Sequence, residues 1–251
     1  MDMRFMFPFL MKKNMRLPMQ SYKGANMRIF PIIKCVTYIP YLYFKGKKKR
    51  SMEDNYKICH KYAGILLKQM GYTFKVEGYD LIKDLKGVYF VSNHQGTIDP
   101  ALIVAACETP LSFISKIENE SIPLLGMWAI NIGTIHFDRN TREGNVHMLR
   151  EAIRALKKNR NLLIFPEGTR SKRDELNEFK DKAFQPAIMA KSIIVPVTLN
   201  GAYCLDRKDI HIKELKITFD KPIYYEQYSK MNREELSEYV YQKIKSHINL
   251  S

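Results

Sequence analysis

"VYFVSNHQGTIDPALIVAAC", residues 88–107, holds the transition on which the fold turns. Its first five residues are apolar or β-prone and read as a buried strand. Its last seven begin like a helix, with Pro100 in the first turn and Asp99 at the N-cap. A strand passing through a short polar loop into a helix is the repeating unit of α/β domains. His94 lies in that loop, at a strand end, where open α/β sheets place their sites. Gln95, Gly96 and Thr97 let the chain fold Asp99 back towards the imidazole. A carboxylate there would hold one ring nitrogen as a donor and leave the other free as a base. Taken alone, Asp99 reads as a helix cap, and a His-x4-Asp spacing is weak evidence of catalysis.

The same alternation runs outward in both directions. Strands are expected at "YTFKVEG" (72–78), "LSFIS" (111–115), "GTIHF" (133–137), "NLLIF" (161–165), "IIVPVTL" (193–199) and "LKITFD" (215–220). Pro196 inside one of them suggests an edge or a bulge. Helices are expected over residues 55–70, with Ile58, Tyr62, Ile65 and Leu66 on one face, and after Asp99. Others are expected over 143–158, with a stripe of Val146, Leu149, Ile153 and Leu156, over 181–190, and from 232, where Asn232 and Glu235 form a capping box. The pattern is that of an α/β domain with a largely buried sheet flanked by helices, over residues 52–251.

Residues 1–51 differ. They are rich in Met, Phe, Tyr and Lys/Arg, and "MRIFPIIKCVTYIPYLYF" runs into "KGKKKR". An apolar, tyrosine-rich segment flanked by cations suits a bilayer interface, so this region is expected to be a membrane-associating helical element. No secretory signal is evident. The longest charge-free stretch, residues 121–137, is broken by Pro123, Gly126 and Gly133 and reads as helix, turn and strand rather than a span. The expected location is therefore a membrane surface, peripheral or monotopic, on the cytoplasmic face.

The 251 residues carry 41 basic against 26 acidic side chains, a net charge of +15. Such an excess points to an anionic partner: phosphorylated substrate, anionic lipid or nucleic acid. No helix-turn-helix, RNA-binding or zinc signature accompanies it, so nucleic acid is not expected. Cys35, Cys59, Cys107 and Cys204 match no metal or redox spacing and read as free thiols. No third ligand accompanies His94 and Asp99, so neither metal nor cofactor is expected.

Three further stretches carry chemistry. "NLLIFPEGTRS" (161–171) takes a strand into a turn with Glu167, Gly168, Thr169 and Arg170, where glycine allows close approach of a ligand and arginine suits a phosphate. "GTIHFDR" (133–139) ends on Arg139. "IVPV" (194–197) looks like core or apolar wall. With "NHQGTID" (93–99), these blocks resemble, in order and approximate spacing, the four blocks of the PlsC-type 1-acylglycerol-3-phosphate acyltransferases. The resemblance spans residues 75–220, and its first and third blocks are specific as a pair. The segment between the first two blocks, with Lys116, is also similar.

That resemblance implies a mixed-sheet glycerolipid acyltransferase fold with an N-terminal membrane element. It implies His94 as general base and Asp99 as its orienting partner, with Arg139 and Arg170 on the acceptor phosphate. Asn93, Lys116, Glu167, Gly168 and Thr169 join them as substrate-binding candidates, and backbone amides of residues 95–97 are candidate oxyanion donors. The implied reaction moves an acyl chain from an acyl thioester, on acyl-carrier protein or coenzyme A, to the sn-2 hydroxyl of lysophosphatidic acid, giving phosphatidic acid. Two features depart from the family: Lys182 stands in "FKDKAF" where members commonly have glycine, and Gln95 and Gly96 replace a small hydroxyl residue and an aromatic. Both bear on acceptor and acyl-chain preference. Alternatives are another glycerol-phosphate or lysophospholipid acceptor, or a non-catalytic binder of anionic lipid or nucleic acid. A serine hydrolase is disfavoured by the absence of a G-x-S-x-G elbow.

Overall fold

The computed structural model describes residues 29–207, 212 and 214–248. Seven strands appear where the alternation predicts them: β1 (Thr73–Glu77), β2 (Tyr89–Ser92), β3 (Leu111–Lys116), β4 (Ile135–Phe137), β5 (Asn161–Ile164), β6 (Ile194–Asn200) and β7 (Glu214–Phe219). They form one sheet in the order β1-β7-β6-β2-β5-β3-β4. All neighbours are parallel except β6 and β7, so the sheet is mixed. The helices are α1 (Ile29–Gly46), α2 (Met52–Gln69), α3 (Asp99–Ala106), α4 (Leu125–Asn131), α5 (Arg142–Lys157), α6 (Gln185–Ala190), α7 (Tyr225–Tyr228) and α8 (Arg233–Lys245). The predicted capping box is present at the start of α8, where Asn232 and Glu235 exchange side-chain and backbone bonds at 2.9 Å.

Both faces of the sheet are buried, which is why its central strands are apolar throughout. On β2, Phe90 packs with α2 and α3 on one side, while Tyr89 and Val91 pack with α5, α6 and α8 on the other. On β5, Leu163 takes the first side and Leu162 and Ile164 the second. Tyr89 buries its phenol without loss because the hydroxyl donates to the Ala183 carbonyl at 2.7 Å.

Three expectations need correction. Pro196 marks no edge, since β6 lies between β7 and β2, but a bulge does fall beside it: Val197 pairs with Phe219 while Ile194 bridges Ile223, three residues on β6 against four on the facing segment. The ring is tolerated because β7 ends at Phe219, and the Asp220 N–H donates to the Pro196 carbonyl at 2.9 Å. The missing N–H thus falls at the end of that ladder. On α5, Val146 is exposed, and Ala152, Ala155 and Leu156 are the buried residues. Small alanines let the helix approach the sheet and α6 closely, and a count of large apolar residues overlooks them. On α2 the core-facing set is Tyr56, Cys59, Ala63 and Leu67, while Leu66 is exposed. Tyr62 instead meets Tyr38 and Tyr41 of α1, with ring centroids 5.6 and 5.4 Å apart.

The expected N-terminal region is described only from residue 29 onward. The end of α1 is held by Trp128 Nε1, which donates to the Leu42 carbonyl at 3.2 Å, and by Asn131 Nδ2, which donates to the Gly46 carbonyl at 2.8 Å. Tyr41, Tyr43 and Phe44 remain exposed. Lys45 and Lys47 lie over the rings of Tyr41 and Tyr43. Among the described residues, no helix is long and apolar enough to cross a membrane. Cys59, Cys107 and Cys204 are free, and burial pushes the Cys59 and Cys107 thiols up to about 12.

The starts of the central strands are clipped together by one buried side chain. Asn161 Oδ1 accepts from the Val88 N–H and its Nδ2 donates to the Pro110 carbonyl, both at 3.0 Å. Replacing it leaves the buried Val88 N–H and the half-buried Pro110 carbonyl without this partner. Asn161→Ala is expected to lower stability by about 2 kcal/mol in urea denaturation with little change in slope. An unchanged midpoint would show that water or relaxation replaces the clip.

Candidate active site

The parallel strands deliver their polar residues to one edge of the sheet. His94 follows β2, Glu167 and Arg170 follow β5, Arg139 follows β4, and Lys116 ends β3. This C-terminal edge, opposite the Asn161 clip, is where successive strand-to-helix turns leave side chains uncovered.

His94 Nδ1 lies 2.6 Å from Asp99 Oδ2. The histidine side chain is 21% exposed and the aspartate is fully buried. Asp99 also accepts from the Gln95 N–H at 2.7 Å and from the Gly96 N–H at 3.0 Å. A carboxylate facing two N–H donors accepts from Nδ1–H as well, which leaves Nε2 as the lone-pair nitrogen. Burial pushes the Asp99 carboxyl up, while the His94 contact and the amides pull it back. Asp99 is thus not the N-cap expected of it. It occupies the first position of α3, the cap is Ile98 without a side-chain bond, and the carboxylate reaches backwards.

Phe165 forms the floor of the site. Its ring stacks on the His94 imidazole with centroids 4.1 Å apart and planes 19° apart. The ring therefore covers one face of the imidazole while Asp99 holds its edge.

The turn after β5 is joined to the histidine loop by main-chain and side-chain bonds. The Ser171 N–H donates to the His94 carbonyl at 2.8 Å, and the Lys172 N–H donates to the Gln95 carbonyl at 3.0 Å. Glu167 is buried and brackets the junction, accepting from the His94 N–H at 2.7 Å and the Asn177 N–H at 3.0 Å. Burial raises its carboxyl from the ordinary 4.5 to about 7, against the opposing pull of these two donors. Gln95 adds a third tie: its Oε1 accepts from the Ala202 N–H at 3.0 Å. Gly96 is required by closeness, since a β-carbon there would stand 2.3 Å from the Ala202 carbonyl oxygen.

The cations flank this turn. Arg139 Nη1 donates to the Gly168 carbonyl at 2.9 Å. Arg170 donates to Thr97 Oγ1 and faces Asp206 at 3.4 Å. Thr169 is exposed beside it. Lys116 leaves the sheet next to Phe137, its register partner in β4, two residues before Arg139.

Two expectations change at this edge. Asn93 lies behind the histidine: it is buried, and its amide exchanges bonds with the Leu199 N–H at 2.7 Å and the Leu199 carbonyl at 3.0 Å. It ties β2 to β6 rather than facing substrate. The amides of residues 95–97 are not free for an oxyanion. Asp99 takes those of Gln95 and Gly96, and Asp206 takes that of Thr97. Sequence reading missed Phe165, Asn177 and Asp206. Phe165 had a signal, an aromatic immediately before a Pro-Glu-Gly turn. Asp206 had none, because it is 36 residues beyond Arg170 in an irregular stretch.

A family model described as Acyltransferase matches residues 73–200, half of the chain. A chloroplastic 1-acyl-sn-glycerol-3-phosphate acyltransferase of Arabidopsis thaliana is 35% identical over 133 residues, which are 52% of this chain and 36% of that protein. A 1-acyl-sn-glycerol-3-phosphate acyltransferase of Saccharomyces cerevisiae is 32% identical over 139 residues, 54% of this chain and 46% of that one. The chain thus spans between about a third and a half of these relatives. The crystal structure of the 1-acyl-sn-glycerophosphate (LPA) acyltransferase PlsC from Thermotoga maritima superposes with a TM-score of 0.73 at 25% identity, covering 88% of this chain and 92% of that one.

The Glu167 bracket has a pH signature. Because its carboxyl titrates at about 7 when folded and near 4.5 otherwise, the folded state holds the extra proton between those values. Glu167 therefore favours folding at low pH, and that contribution is lost as pH rises through 7. Glu167→Gln lacks this loss. Its unfolding free energy relative to wild type is expected to rise from about pH 5 to about pH 8 and then level off. A pH-independent difference in denaturation experiments would rule the shifted carboxyl out.

Proposed function

The chain belongs to the acyltransferase family, and from that premise we propose that it transfers an acyl chain from a thioester to the sn-2 hydroxyl of a 1-acylglycerol 3-phosphate. The observation that carries this reading is the His94–Asp99 pair, stacked on Phe165 and bonded through Glu167 to a turn flanked by Arg139 and Arg170. A base with a free Nε2 stands beside cations suited to a phosphate, as acylation of a phosphorylated alcohol requires.

The chemistry needs no covalent enzyme intermediate, because the thioester carbonyl is already activated. The acceptor hydroxyl attacks that carbonyl while His94 Nε2 takes its proton. Asp99 stabilises the imidazolium through Nδ1–H. The tetrahedral adduct collapses, the C–S bond breaks, and the imidazolium returns the proton to the departing sulfur, leaving an ester and a free thiol. Arg139 and Arg170, with Lys116 nearby, attract the acceptor phosphate and so set its hydroxyl within reach of Nε2. Acyl-carrier protein and acyl-coenzyme A are both anionic and both suit the basic surface.

The end of α1 gives the same reading a location. Exposed Tyr41, Tyr43 and Phe44 precede Lys45, Lys47, Lys48, Lys49 and Arg50. Aromatic side chains at headgroup depth beside cations on anionic lipid would hold the protein on one leaflet, where a lysophospholipid resides.

Two measurements test these proposals. Acyl transfer from an acyl thioester to lysophosphatidate should fall by about 10²- to 10⁴-fold in His94→Ala, with a melting temperature close to wild type. Equal transfer by both proteins would remove His94 from the mechanism. In vesicle sedimentation, Phe44→Ser combined with Lys47→Glu should reduce binding to phosphatidylglycerol-containing vesicles. Undiminished binding would place the membrane contact elsewhere.

A further inference from the structure

A groove outside the site lies between α8 and the segment that follows the turn after β5, and it encloses about 530 Å³. Glu234, Ser237, Glu238 and Tyr241 line one wall, at the spacing of a single helix face. Glu178, Phe179 and Asp181 line the other. The rings of Phe179 and Tyr241 meet edge to face where the walls join, with centroids 5.1 Å apart and planes 80° apart. Four carboxylates thus surround an aromatic pair on a chain whose net charge is +15. Arg233 stands against Asp181 at 3.4 Å and Glu234 at 4.0 Å, and Lys245 lies over the Tyr241 ring. Gln242 Nε2 donates to Glu238 at 2.6 Å. Glu178 has no ion-pair partner among the described residues.

Ser237 separates this groove from an ordinary solvated acidic face. It is more than nine-tenths buried, yet it lines the groove, and its hydroxyl bonds to nothing among the described residues. A buried hydroxyl without a partner costs free energy that a donor entering the groove recovers. The carboxylates do not converge on one point: among the described residues, no three acidic, histidine or cysteine side chains stand close enough to share a metal ion. Negative charges spread along a groove suit separated positive charges joined by an apolar chain. A linear polyamine has that form, with ammonium groups for the carboxylates and methylenes for the rings.

We propose that the groove between α8 and residues 178–181 binds a linear polyamine, whose ammonium groups pair with Glu178, Glu234 and Glu238, whose methylenes lie on Phe179 and Tyr241, and one of whose N–H groups donates to the Ser237 hydroxyl. This is independent of the acyl-transfer reading. The groove nevertheless adjoins the framework of the site. Glu178 follows Asn177, whose N–H donates to Glu167 at 3.0 Å, and the Lys180 N–H donates to the Pro166 carbonyl at 3.1 Å. A ligand that joins this segment to α8 therefore steadies the turn after β5, and the amides of Asn177 and Lys180 open less often.

The test titrates spermidine, putrescine and magnesium chloride into the full chain by calorimetry at about 0.15 M salt, where loosely held counter-ions are screened. Wild type is compared with Ser237→Ala and with Glu178→Gln combined with Glu238→Gln. Spermidine should saturate at one molecule per chain, putrescine should bind more weakly, and magnesium should give no saturable heat. Ser237→Ala should weaken spermidine binding by about fivefold. The double glutamine variant should weaken it by about tenfold, with a melting temperature close to wild type. Hydrogen exchange at the Asn177 and Lys180 amides should slow with spermidine in wild type and not in the double variant. Absence of saturable spermidine binding would overturn the site, as would wild-type affinity in the double variant. Displacement of spermidine by magnesium at equal concentration would reduce it to a diffuse counter-ion atmosphere. Saturable binding with unchanged exchange at both amides would overturn the link to the turn after β5.

Discussion

The site is organised around one desolvated carboxylate. Asp99 has no exposed surface, so its charge must be met from within the protein or be lost to protonation. His94 Nδ1 and the amides of Gln95 and Gly96 meet it. These donors lie in three consecutive residues, and only a tightly curled loop presents them to one acceptor. Gly96 makes the curl possible by its contact with the Ala202 carbonyl. The orientation of the imidazole is thus a by-product of satisfying a buried charge.

A second carboxylate does the corresponding work between loops. Glu167 accepts from His94 on one side and Asn177 on the other. With the Ser171 and Lys172 main-chain bonds, it makes the turn after β5 and the loop after β2 one unit. β2 and β5 are sheet neighbours in parallel register, so their C-terminal turns emerge side by side. The sheet brings the histidine loop and the cationic turn together, and the buried acids set the fine spacing. Asp206 repeats the device from the stretch after β6, joining Thr97 to Arg170.

Much of this was legible in the sequence because the physics is local. Seven strands follow from short β-prone runs bounded by turn residues, and the capping box at Asn232 from two side chains three residues apart. The His94–Asp99 contact spans five residues. What escaped was non-local or carried by unremarkable residues. Ala152 and Ala155 are invisible to a search for large apolar side chains, yet they define the buried face of α5. Asn93 looked like a polar loop residue until its partner, Leu199, was placed beside it by the pairing of β2 and β6. Asp206 has no motif at all; only the folded path of the chain brings it to Thr97 and Arg170.

The reach of these ties bears on how the protein comes into being. Glu167 meets His94 across 73 positions, and Asp206 meets Thr97 across 109. Contacts of such separation demand closure of long loops and are slow to form. During synthesis a nascent chain that has already exposed His94 and Asp99 lacks the turn that flanks them and the strand, β6, that Asn93 grips. The sheet itself cannot be completed in sequence order, because β5 and β6 must insert on either side of β2 after β3 and β4 are made. The histidine therefore lacks Phe165 and Glu167 until the turn after β5 has been made, and its loop lacks Ala202 and Asp206 until nearly the whole domain has left the ribosome. Assembly of the site and completion of the fold then arrive as a single event.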